Sequence, residues 1–186
     1  NPFGTLVKYS TETNQAVART TLGLFPASME ISNITGFLYC VNFNLHGSMK
    51  PSNVSVVDPE TMTEITKITT GSMPHGSRLS PDGLFQYSVA MMSGELFEID
   101  ALDLKVSRVL NLEKKMMNDK KMDGKMMNHD NMKGKMMTSD KKENMMNTMD
   151  GMKHSMVKPT WVIPHPKENI AYVAGNGSDE VIEVNL

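Results

Sequence analysis

Of the residue types that staple or anchor small proteins, this 186-residue chain has few. Cys40 is its lone cysteine, which excludes an intrachain disulfide and any cysteine-built zinc site from this chain alone. No run is long and apolar enough to cross a bilayer, so no membrane span is expected. Aromatics make up only 6% of residues, and the basic residues concentrate in a stretch with none to stack on bases, so nucleic acid is not an expected partner. Asn1 is followed by no signal-peptide pattern, which leaves a removed leader or an internal piece of a longer protein; the repeat described below favours the second.

A second absence is local. Between Glu113 and Met156 there is no Ala, Val, Ile, Leu, Phe, Trp, Tyr or Cys, yet the stretch carries thirteen of the nineteen methionines. Such a composition cannot form a core. Thioether sulfur is soft and polarisable, so a water-exposed, Met-dense segment offers Cu(I) or Ag(I) the ligands those ions prefer. The candidate ligands are Met116, Met117, Met122, Met126, Met127, Met132, Met136, Met137, Met145, Met146, Met149, Met152 and Met156, with His129 and His154 adding imidazole. Lys121-Met122-Asp123-Gly124-Lys125-Met126-Met127 returns ten residues later as Asn131-Met132-Lys133-Gly134-Lys135-Met136-Met137, so the motif is duplicated. Spacings of three and four suit a helical turn, but Gly124, Gly134, Gly151 and the asparagines oppose a stable helix, and disorder without metal is expected. From Glu113 to Lys158 eleven lysines face seven acids, net +4, against net -6 elsewhere. A positive segment is a poor holder of hard divalent cations, which argues against calcium.

Outside this tract the chain repeats. Pro26 to Tyr39, Pro74 to Tyr87 and Pro159 to Tyr172 each span thirteen positions. One unit reads as strand Ser77 to Leu79, turn Ser80-Pro81-Asp82-Gly83, strand Leu84 to Ala90, turn Ser93-Gly94, strand Glu95 to Asp100 and strand Lys105 to Leu110. Four strands in a period of about 42 residues is the signature of a propeller blade, whose faces are buried only when blades stack. The expected fold is therefore all-β: a β-propeller of four-stranded antiparallel blades, with three to four blades present in about thirteen strands, forming part of a larger closed ring. Residues 1–112 are read as a partial blade and two full blades, 113–157 as the Met-rich insertion and 158–186 as a further partial blade. Half-covered sheet faces imply further blades or another protein chain as partner.

The run Pro74-His75-Gly76-Ser77-Arg78-Leu79-Ser80-Pro81-Asp82-Gly83 and the strand start Tyr172-Val173-Ala174 resemble the YVTN family of β-propeller repeats. The resemblance covers nearly everything but the insertion. It departs at Ser32-Asn33-Ile34-Thr35-Gly36, at Pro164-His165-Pro166 and at Tyr87-Ser88-Val89. It implies a periplasmic, secreted or cell-surface protein used as a binding platform, with relatives resembling lactonases or haem-carrying reductases.

In such blades the second-to-third turn and the link to the next blade share one face of the disc. His46, Met49, Met73, His75, Met91, Met92 and the Met-rich insertion are expected there, with His165 opposite. The expected function is a binding protein whose Met/His-rich loop captures Cu(I) or Ag(I), with fixed residues His46, Met49, Met73 and His75 receiving the ion. The rivals are a copper- or haem-dependent oxidoreductase or lactonase-like hydrolase completed by other blades, and a scaffold with a merely solvated loop or an oxidation buffer. Plainer readings attach to single residues: His75 bonding a carbonyl, Met91 and Met92 packing at a strand end, Cys40 as a small buried hydrophobe, Trp161 packing between blades. No catalytic residues are assigned, because nothing in the sequence positions a base or an oxyanion hole.

Overall fold

The computed structural model describes residues 3–46, 49–113 and 154–186. Among them thirteen strands form four antiparallel sheets in chain order. Strands β1 (Thr5–Tyr9) and β2 (Ala16–Thr21) form the first sheet. The second is β3 (Pro26–Ile31), β4 (Leu38–Asn42), β5 (Pro51–Asp58) and β6 (Thr63–Ser72). The third is β7 (Pro74–Leu79), β8 (Phe85–Ala90), β9 (Glu95–Asp100) and β10 (Lys105–Asn111). The fourth is β11 (Pro159–Pro164), β12 (Ile170–Gly175) and β13 (Glu180–Asn185). Each is a simple meander in which sequence neighbours pair, as short tight turns dictate.

Three apolar clusters fill the three gaps between consecutive sheets. Leu6 and Leu22 of the first sheet region meet Leu38, Cys40, Val57 and Met62. Tyr39, Val41, Val54, Val56 and Ile68 meet Ile99 and Ala101 of the third sheet. Tyr87, Val89 and Leu96 meet Val162, Ala171, Val173, Ile182 and Val184 of the fourth. Because side chains alternate along a strand, β4 sends Leu38 and Cys40 one way and Tyr39 and Val41 the other, and all five of its residues are buried. That double burial is why the central strands read as near-continuous apolar runs rather than clean alternations. The fourth strands face outward: β10 alternates between exposed and half-buried along its length.

The first strands of successive sheets lie side by side, β3 against β7 and β7 against β11. Side chains stitch these inner strands. The Ser28 hydroxyl donates to the His75 carbonyl at 2.9 Å, the Leu79 N–H donates to Glu30 Oε2 at 2.6 Å, and the Arg78 guanidinium stacks over the Trp161 ring at 4.9 Å. The residue ahead of each inner-strand proline adopts the same left-handed backbone: Phe25 at φ 52°, Met73 at φ 53° and Lys158 at φ 45°. A non-glycine residue pays for this conformation, so its recurrence in three units marks the inter-blade link as a fixed corner.

Strand β7 begins at Pro74, three residues ahead of the expected Ser77. Pro74 opposes Ala90, with a bulge before Ser77, and a first-strand edge tolerates a residue with no N–H. Gly76 lies where β7 approaches β11: a Cβ there would stand 2.5 Å from the Thr160 carbonyl oxygen and 2.6 Å from Trp161 Cα. Gly76→Ala is therefore expected to cost about 1–3 kcal/mol by forcing two backbones apart, measurable as a lowered midpoint in urea. An unchanged midpoint would place β11 farther from β7 than described.

Candidate functional site

Antiparallel meanders put the β4–β5, β8–β9 and β12–β13 turns and the inter-blade links at one end of the strands. The β3–β4, β5–β6, β7–β8, β9–β10 and β11–β12 turns lie at the other. Hydrogen bonds trace the first face from blade to blade. Phe43 N donates to Phe25 O at 2.8 Å, and the Ser72 hydroxyl donates to Met49 O at 2.5 Å. Met91 N donates to Met73 O at 3.0 Å and Met92 N to Ser72 O at 3.1 Å. Ser155 N then donates to Met92 O at 3.0 Å. Met49, Met73, Met91 and Met92 are thus strung along one hydrogen-bonded path that ends at the Met-rich stretch. His165 belongs to the opposite end, where Nδ1 accepts from Lys167 N and Glu168 N in the β11–β12 turn.

The two ends of the Met-rich stretch are tied together. Leu112 and Val157 are both buried in the gap between the third and fourth sheets, and Leu112 N donates to Gly94 O at 3.0 Å. Beyond them, Glu113 Oε1 accepts from the Ser155 hydroxyl at 2.6 Å, from Met156 N at 2.6 Å and from Val157 N at 3.1 Å. The β12–β13 turn closes over the same segment, with Gly177 N donating to Val157 O at 2.9 Å. Nothing in the sequence pattern announces this clasp. Glu113→Ala leaves two backbone N–H groups without their carboxylate acceptor and is expected to lower stability by about 1.5–3 kcal/mol, with faster amide exchange at Met156 and Val157.

Each described candidate can now be placed. His46 is exposed, with its ring edge-on to Phe25 at 5.1 Å between centroids. Met49 is half-buried, with a left-handed backbone at φ 59°. Met73 is buried between blades, 7% exposed. His75 is half-buried, edge-on to Phe43 at 4.9 Å, and its Nδ1 lies 3.1 Å from the Thr160 carbonyl oxygen. A carbonyl only accepts, so Nδ1 carries a proton in this contact, and in the neutral ring that leaves the lone pair on Nε2. That is the plain structural contact considered for His75, and it is also the orientation in which a metal-binding imidazole is held. His154 is exposed and Met156 is 73% exposed. Met116, Met117, Met122, Met126, Met127, His129, Met132, Met136, Met137, Met145, Met146, Met149 and Met152 lie outside the described residues, as does the segment for which disorder was expected.

Cys40 is fully buried, and burial together with the charge of Glu64 pushes its thiol up to about 11. It is a neutral core thiol and no metal ligand. Native protein at pH 8 is expected to leave Cys40 unmodified by a thiol reagent that labels it fully in urea. Among the described residues no group of three or more His, Cys, Asp or Glu is arranged to hold a metal.

Neither a protein-family profile nor a curated protein matches the sequence. Solved structures do match in shape. Hydrazine synthase of Kuenenia stuttgartiensis superposes with a TM-score of 0.62 at 18% identity, over 95% of this chain and 38% of that one. The Cps50 (Swd1) β-propeller domain of Myceliophteria thermophila gives 0.58 at 10% identity, over 98% of this chain and 48% of that one. The dihydro-heme d1 dehydrogenase NirN gives 0.51 at 12% identity, over 96% and 29%. The fold is that of β-propeller blades. Identities this low speak for architecture alone, and the chain spans less than half the length of each of these structures.

Proposed function

We propose that this chain is the β-propeller portion of a binding protein that works outside the cytoplasm, and that its Met-rich stretch captures a soft monovalent metal, Cu(I) or Ag(I). The observation carrying this reading is the pairing of composition with anchorage: thirteen thioethers and two imidazoles lie in one stretch without a core-forming residue, and that stretch is clasped at both ends onto the face bearing Met49, Met73, Met91 and Met92. Membership of the YVTN repeat group, and the extracytoplasmic location that goes with it, belong to the same proposal. Its test is a titration of the full chain with Cu(I) against a chromogenic chelator. Several equivalents withdrawn from the chelator support the reading, and none withdrawn refutes it.

A second reading is an oxidoreductase, copper- or haem-dependent, or a lactonase-like hydrolase, whose reacting groups come from blades beyond this chain. It draws on two structural neighbours, a hydrazine synthase and a dihydro-heme d1 dehydrogenase in complex with DHE. A redox-active chromophore copurifying with the longer protein would favour it.

A further inference from the structure

Two of the fixed residues expected to receive the ion, Met73 and His75, are already engaged by their surroundings. Met73 is buried, and His75 is half-buried with one ring nitrogen on the Thr160 carbonyl and its ring edge-on to Phe43, which leaves only Nε2. The free soft ligands are found at the root of the Met-rich stretch. Met91 and Met92 occupy the β8–β9 turn and are both half-exposed. The Met92 carbonyl accepts the Ser155 N–H, which pins the two neighbours of Ser155, His154 and Met156, beside that turn. From His154 to Val157 burial alternates strictly: His154 and Met156 are exposed, Ser155 and Val157 are buried. The Ser155 hydroxyl accepts from Lys158 N at 2.9 Å while Glu113 Oε1 accepts from Met156 N and Val157 N, so the segment turns about Ser155 and leaves the exposed imidazole and thioether on either side of it. Glu113 fixes the backbone of Met156, and a Cβ at Gly177 would lie 2.4 Å from the Met156 carbonyl oxygen, so the segment is held closely from two directions.

We propose that Met91, Met92, His154 and Met156 form a fixed soft-metal site at the root of the Met-rich stretch, taking Cu(I) or Ag(I) through three neutral thioethers and one neutral imidazole. Neutral ligands suit a monovalent soft ion and give a divalent hard one no charge compensation. Three thioethers and an imidazole also complete a four-coordinate set, so the ion needs nothing from the rest of the stretch. The proposal shares its choice of metal with the function proposed above but does not require the stretch itself to bind.

The probe is Ag(I), which undergoes no redox cycling, added to full-length protein carrying 13C-labelled methionine methyl groups, with resonances assigned by single Met→Leu changes. The first equivalent is expected to shift the methyl signals of Met91, Met92 and Met156 and the ring signals of His154. M91L/M92L, a near volume-conserving pair, is expected to abolish those shifts at Met156 and His154 and to weaken first-site affinity by about tenfold or more. Shifts confined to methionines between residues 114 and 153 would overturn the root site and leave the proposed capture function standing. Shifts confined to the four root residues would support the root site and overturn capture by the stretch. No shift anywhere overturns both.

Discussion

Changing the twelve methionines between residues 114 and 153 to glutamine in the full chain is expected to abolish most of its Cu(I) capacity, leaving about one equivalent. Glutamine matches methionine in length and keeps the segment soluble, but it replaces a soft sulfur by a hard amide oxygen, which binds Cu(I) far less well. Average affinity across the lost sites should fall by more than about a hundredfold, equivalent to about 2.7 kcal/mol per ion. The companion variant changes the lysines of the same segment to glutamine. It leaves every sulfur in place and should bind as many ions as the parent, because thioether coordination carries no charge to be balanced. Equal losses in both variants would show that the segment works through its charge, and an unchanged capacity in the methionine variant would show that it does not collect metal.

The second large effect concerns the stacking of blades. Tyr39 is fully buried between the second and third sheets, and its hydroxyl donates to the Ala101 carbonyl at 3.1 Å. Burial raises the pKa of this hydroxyl, as it does that of Tyr87, which is pushed up to about 12. Tyr39→Ala removes an aromatic ring from a closed gap and is expected to cost about 3–5 kcal/mol, whereas Tyr39→Phe forfeits chiefly the hydrogen bond, about 1 kcal/mol. Tyr172 stands at the same repeat position in the fourth sheet but is 38% exposed, on the face turned away from the third sheet. Tyr172→Ala in this chain should therefore cost well under half as much as Tyr39→Ala. Denaturant titration of the three variants reads the difference directly, and equal losses at Tyr39 and Tyr172 would mean that the sheets do not stack as described.

Much of this architecture was legible because the proline-to-tyrosine spacing is rigid. Thirteen positions is one inner strand, one turn and half of the next strand, so the three repeats fixed the number and grouping of strands. The strand count of two, four, four and three followed from it and matches the sheets found. Residue types alone put the start of β7 too late, because Pro74, His75 and Gly76 resemble a link. Only the neighbouring strand shows that they pair, and that Gly76 is needed for the approach of β11. The core thiol and the inter-blade position of Trp161 were anticipated from their place after the repeat tyrosine and on an inner strand. Sequence could not rank the candidate ligands on the shared face. Met73 and Met92 look alike in a pattern, yet one is buried and the other half-exposed beside Ser155. The Glu113 clasp was likewise invisible, because its partners are forty-two or more positions away and mostly backbone N–H groups.

The proposed capture depends on sulfur as the metal's partner. The most direct measurement is copper K-edge X-ray absorption on the full chain, loaded anaerobically with Cu(I) and desalted. The predicted spectrum is that of Cu(I) with a first shell dominated by sulfur scattering. A first shell of nitrogen and oxygen alone, or no copper retained after desalting, would contradict it.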